Sequence, residues 1–182
     1  MPPFDIDAAF AYYAEHIHRQ TRFDLLKEHN FAVAGSIPSI DWELFGAILT
    51  GDDRKTGYGS DLKDHEVKSA AEGSSFEYQY HRKGGLAKLD EDKAVNHVFV
   101  SYTCDYKRVT VRLVDRAKLS PIFESWRDGL IQNYQGAIPR QRYRKSIAYG
   151  TVTQEGAIVF LVENSQLVQA QGVTRPTPEP PD

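Results

Sequence analysis

Asp61-Leu62-Lys63-Asp64-His65-Glu66-Val67-Lys68 places an acid ahead of a Glu-x-Lys triplet, with four residues between them. The second half begins a strand-like run, His65 to Ala70. A strand sends alternate side chains to one face, so Glu66 and Lys68 are expected to point together while Val67 points to the core. Asp61 follows the turn-rich Thr56-Gly57-Tyr58-Gly59-Ser60. Two carboxylates and one ammonium therefore converge on a small volume. Such a trio can hold Mg²⁺ and a phosphate at once, which phosphodiester hydrolysis requires. The plainer reading is a surface ion pair on an edge strand. Glu91-Asp92-Lys93 and Asp105-Tyr106-Lys107 show how cheap the triplet is. The first sits in a polar run and the second in an expected turn.

Working outward, apolar residues at helical spacing predict a helix from Phe4 to about Asn30, capped by Asp5 or Asp7. Gly35-Ser36-Ile37-Pro38-Ser39 breaks it. Ser39 or Asp41 then caps a second helix that stops at Thr50-Gly51. The period changes to two over 65–70, 75–82, 96–103 and 108–114, which predicts strands, with Cys104-Asp105-Tyr106-Lys107 as a hairpin turn. Ser120-Pro121 opens a third helix, 121–134. A basic loop, 139–145, and two strands, 146–153 and 157–163, follow. Four prolines in 174–182 mark a disordered tail, leaving 1–173 as a single domain. The fold class is α/β (α+β), a central mixed sheet flanked by helices.

Context around the triplet adds weight. Glu43 lies upstream among apolar neighbours, in Ile40-Asp41-Trp42-Glu43-Leu44-Phe45-Gly46. Downstream, Glu77, Gln79 and His81 share one face of a strand expected to neighbour that of Glu66, so that Gln79 or His81 reaches the same cleft.

In this order of parts the chain resembles the PD-(D/E)XK nuclease superfamily, particularly type II restriction endonucleases and MutH-like nickases. Glu43, Gly59-Ser60-Asp61 and Glu66-Val67-Lys68-Ser69 carry the resemblance, which covers about residues 40–82. Ser60 stands where the signature has proline. The resemblance implies a restriction-endonuclease-like core. It implies that Asp61 and Glu66 ligate Mg²⁺ with the Val67 carbonyl, that Lys68 orients or activates water, and that Glu43 serves a second metal or acts through water. It also implies products with 5′-phosphate and 3′-hydroxyl ends.

Composition sets outer bounds. A 41% hydrophobic and 12% aromatic chain of 182 residues is a folded domain. Cys104 is the sole cysteine, so no intrachain disulfide forms. The amino terminus lacks a secretory pattern and no apolar run is long enough to span a bilayer, so a soluble, cytoplasmic protein with no membrane partner is expected. A net charge of −3 leaves nucleic-acid binding to local basic surfaces. The densest is Arg140-Gln141-Arg142-Tyr143-Arg144-Lys145. Its Arg140, Gln141, Arg142 and Arg144 are candidates to read or clamp double-stranded DNA, and Lys145 to hold a phosphate. A solvated hairpin is the alternative. The second basic series, Lys107 to Lys118, reads as the solvent side of a sheet. His16, His18, His65, Trp42 and Trp126 read as structural. A palindromic site asks for two symmetric catalytic motifs, so a homodimer is expected, with the 4–30 helix as interface.

Overall fold

The computed structural model describes residues 4–57, 59–135 and 142–168. Arg140, Gln141 and the proline-rich tail lie outside them.

Helices α1 (Ile6–Tyr12), α2 (Gln20–Glu28) and α3 (Ser39–Thr50) precede strand β1 (His65–Ala71). Then come β2 (Phe76–His81), α4 (Gly85–Ala94), β3 (Asn96–Tyr102), β4 (Val109–Val114) and α5 (Arg116–Gln135). The chain continues through β5 (Arg142–Ile147), α6 (Tyr149–Glu155), β6 (Ala157–Glu163) and β7 (Gln166–Val168). A five-stranded mixed sheet has the order β1-β3-β4-β6-β7, and β2 and β5 form a separate antiparallel ribbon. β1 runs parallel to β3; every other pair is antiparallel.

Alternation along β1 and β3 divides two cores. Val67, Val98 and Val100 face α1 and α3 in one cluster with Trp42, Phe45 and Leu49. Phe99 faces the opposite cluster, made with Leu89 of α4, Phe123 and Trp126 of α5, and Phe76, Tyr78 and Tyr80 of β2. Glu66 is in register with His97, and Lys68 with Phe99, so both site residues project towards the second cluster.

Several elements depart from expectation. The long first helix is broken. A π-turn over Tyr13–Ile17 brings Tyr13 and Ile17 both inward, and His18 leaves the helical region at φ −84°, ψ 68°. His18 packs against the Tyr13 and Phe23 rings. The apolar side of this segment, Ala9, Tyr13, Ile17 and Phe23, packs into the protein's own core. Neither Ser39 nor Asp41 caps α3: Pro38 holds the junction at φ −63° and ψ 154° with no side-chain cap.

The expected strand 146–153 is divided. Its start belongs to β5, and Tyr149–Glu155 is helical, because Val152 is pulled into the second core. β-propensity of Thr151-Val152-Thr153 is overridden by packing. α5 begins ahead of Pro121, with Asp115 Oδ1 accepting from Ala117 N at 2.7 Å. The polar run at 85–94 is α4. No helix of the described residues is long and apolar enough to cross a membrane.

Candidate active site

Asp61 and Glu66 clasp each other through the backbone. Glu66 Oε2 accepts the Asp61 N–H at 2.9 Å, and Asp61 Oδ2 accepts the Val67 N–H at 3.1 Å. The loop is thereby pinned to β1. Ser60 adds a hydroxyl bond to Leu62 O at 2.8 Å. Glu91 of α4 accepts from Ser60 N at 3.1 Å and from Lys55 Nζ at 2.7 Å. Gly59 passes so close beneath Glu91 that a Cβ there would fall on its carboxylate and push it aside.

Glu66 is fully buried and carries two cations on one oxygen. Lys68 Nζ is hydrogen-bonded to Oε1, and Lys88 Nζ of α4 reaches the same atom at 2.9 Å. Lys68 Nζ also lies 3.3 Å from Val67 O and 3.6 Å from Asp61 Oδ2. It stands 5.2 Å above the centre of the Tyr78 ring, a cation–π contact that closes its remaining side.

Charge is unevenly balanced. Burial alone would push Glu66 upward, but Lys68 and Lys88 overcome it and hold the carboxyl at about 2. Asp61 is raised by burial and by Glu66, against the opposing pull of Lys68. Glu43, half-buried on α3, is raised by burial and then by Asp61, which places it beside the cluster. Asp92 is raised to about 6 by burial and by Glu66. Lys68 is raised because Glu66 and Asp61 outweigh its desolvation. Four carboxyl groups thus share two ammoniums, and three of the four resist ionisation.

The three oxygens around Lys68 are the three that the resemblance implies for Mg²⁺: Asp61, Glu66 and the Val67 carbonyl. The Lys68 ammonium occupies the point where they meet. All are hard oxygen donors of the kind Mg²⁺ prefers, so the residues fit that ion, and Glu43 stands near enough to feel the charge of Asp61 and Lys68. Among the described residues no three His, Cys, Asp or Glu side chains close on one point; the convergence is two carboxylates and a carbonyl.

Glu43, Asp61, Glu66 and Lys68 are thus brought together. Gln79 and His81 are not part of that cluster. Their shared face is confirmed, but β2 pairs with β5 and turns Tyr78 and Tyr80 inward, burying its aromatic side. The outer face carries Gln79 opposite Arg144 and His81 opposite Arg142. Arg142 Nη1 donates to Gln79 Oε1 at 3.3 Å, and Arg144 lies 3.9 Å from Glu77. Lys145 stands over Tyr143 at 5.6 Å. His65 pairs with Asp52 at 2.9 Å, the structural role expected of it.

Sequence reasoning linked neither Lys88 nor Asp92 to the Glu66 cluster. Their signal was present as a Lys–Asp pair at i,i+4 around the inward Leu89, but only helical phase gives that spacing meaning. His97 was missed too. Its Nε2 donates to Asp92 O at 2.8 Å, and its Nδ1 accepts from the Tyr78 hydroxyl at 2.7 Å, riveting α4 and β2 to the sheet beneath Glu66. No protein-family model and no curated protein matches the chain.

Proposed function

We propose that the protein is a Mg²⁺-dependent endonuclease that hydrolyses phosphodiester bonds of double-stranded DNA, leaving 5′-phosphate and 3′-hydroxyl ends, and that it is a type II restriction enzyme acting as a homodimer. The observation that carries the reading is the seat of Lys68: one ammonium held by Asp61, Glu66 and the Val67 carbonyl. Asp61, Glu66 and Val67 hold the cation; when bound it lowers the pKa of water and polarises a phosphoryl oxygen. Lys68, released from Glu66, orients the attacking water and meets the developing negative charge. Glu43 holds water at the edge of the cluster. The β2–β5 ribbon contributes Gln79, His81, Arg142, Arg144 and Lys145 to the DNA surface. A two-stranded ribbon fits the major groove, where arginine reads guanine and glutamine reads adenine.

The second reading is a DNA-binding or assembly protein with no catalysis. It is favoured by the same pairing taken at face value, since Lys68 and Lys88 already neutralise Glu66. Incubation of the purified protein with Mg²⁺ and a mixed-sequence supercoiled plasmid separates the two. The nuclease reading expects discrete linear fragments, lost with chelator and in Glu66→Ala and Lys68→Ala. Nicked circles alone would indicate a MutH-like nickase. An intact plasmid, or full activity in Lys68→Ala, sinks the nuclease.

A further inference from the structure

Lys88 and Asp92 take no part in the chemistry proposed above, yet they are built into the site. Lys88 Nζ donates to Glu66 Oε1 at 2.9 Å, to Asp92 Oδ1 at 2.9 Å and to Gly59 O at 3.0 Å. Glu66 belongs to β1, whereas Lys88 and Asp92 sit one turn apart on α4 and stay within reach of each other whatever binds at Glu66. Asp92 is wholly buried, and its second oxygen, Oδ2, accepts no hydrogen bond. The Tyr80 hydroxyl stands near it, also buried, without reaching hydrogen-bond geometry. An unpartnered buried carboxylate oxygen costs free energy. Glu66 Oε1 is in the opposite condition, with two ammoniums on one atom.

We propose that Lys88 is a displaceable counter-cation: it neutralises Glu66 while no metal is bound, and yields Glu66 Oε1 to a divalent cation by shifting its ammonium wholly onto Asp92. This rests on the reading of the cluster as a divalent-cation centre. Lys68 is the strand's own lysine, its side chain 19% exposed; Lys88 is a positioning residue that acts through Glu66. The exchange keeps Glu66 compensated in both states. It avoids leaving a lone carboxylate in a dry site, which is costly. It also makes metal affinity a contest between Glu66 and Asp92 for one ammonium.

The test is Mg²⁺ titration of the full chain by isothermal calorimetry, with the Mg²⁺-induced rise in melting temperature as a second readout. Lys88→Met is expected to bind Mg²⁺ roughly fivefold more tightly, and Asp92→Asn roughly fivefold more weakly. The overall field of the site predicts the same two signs, so the double variant decides. It restores the wild-type net charge yet has no ammonium to move, and is expected to stay about threefold tighter than wild type. A double variant at or below wild-type affinity overturns the proposal, as does weaker binding by Lys88→Met. If Met at 88 prevents folding, Lys88→Gln with Asp92→Ser carries the same comparison. Wild-type protein that neither binds Mg²⁺ nor cuts DNA removes the functional reading and this one together. Wild type that binds and cuts while the double variant gains nothing removes only the displacement.

Discussion

Gly46 lies so close to Val67 that a methyl group on it would stand 2.6 Å from Val67 Cγ2. The contact seats α3 directly on β1, with Glu43 one turn before Gly46 on the same side of the helix. Gly46→Ala is expected to push the helix off the strand and cost about 1–3 kcal/mol in urea denaturation. Val67→Ala alone costs stability through a cavity. The pair Gly46→Ala/Val67→Ala should cost less than the two singles summed, by ~1 kcal/mol. Additive losses would show that this contact does not set the helix position.

Glu66 is the anchor of the charge network, so its neutralisation should be severe even without metal. Glu66→Gln keeps the shape but leaves Lys68 and Lys88 with an amide in place of the shared anion. The expected loss is roughly 3 kcal/mol by denaturant titration of the metal-free protein. A loss under about 1 kcal/mol would mean that the lysines find other partners.

Two buried groups beneath Glu66 answer pH with opposite signs. His97 is lowered by burial from 6.5 to about 4, so its contribution to stability is full above pH 6.5 and is lost as pH falls through about 4. Asp92 is raised from 3.8 to about 6, so its contribution is full below pH 3.8 and is lost as pH rises through about 6. Asp92→Asn removes the second and exposes the first. The variant should melt above wild type at pH 8, by an amount on the order of 2 kcal/mol. The advantage should vanish towards pH 4, and the variant should melt progressively lower between pH 6.5 and 4. A pH-independent difference would contradict both assignments.

The ribbon is separable from the cluster. Arg142→Ala and Arg144→Ala should each weaken duplex binding and reduce the slope of log affinity against log salt by about one. The Mg²⁺ isotherm should be unchanged. Gel-shift titrations at several salt concentrations check the first, calorimetry the second. Unaltered DNA affinity in both variants would leave Arg142 and Arg144 as the solvated hairpin.

The alternation of His65-Glu66-Val67-Lys68 was enough to place Glu66 and Lys68 on one face and Val67 in the core, because a strand's period is short and local. The β3–β4 hairpin was legible for the same reason. The phase of β2 was legible as well, but the side it turns to the sheet was not, since that depends on a partner, β5, some 60 residues on. α4 was hidden by its own composition: in Gly85-Leu86-Ala87-Lys88-Leu89-Asp90-Glu91-Asp92-Lys93-Ala94, only Leu89 is a buried large apolar residue. Charges that are normally a sign of solvent were here the helix's inward face. Lys88 meets Glu66 across 22 residues, and nothing local signals that meeting.

β1 is the outermost strand of its sheet, and its free border is occupied by the cluster. His65 O accepts from Leu62 N, Val67 N donates to Asp61 Oδ2, and Val67 O receives Lys68 Nζ. An open border of this kind is a template on which foreign strands can stack. Here the Asp61 carboxylate and the Lys68 ammonium occupy the places a visiting strand would need. The residues assigned to chemistry therefore also block strand pairing along this border. Loss of Asp61 would be felt in colloidal behaviour as well as in any reaction.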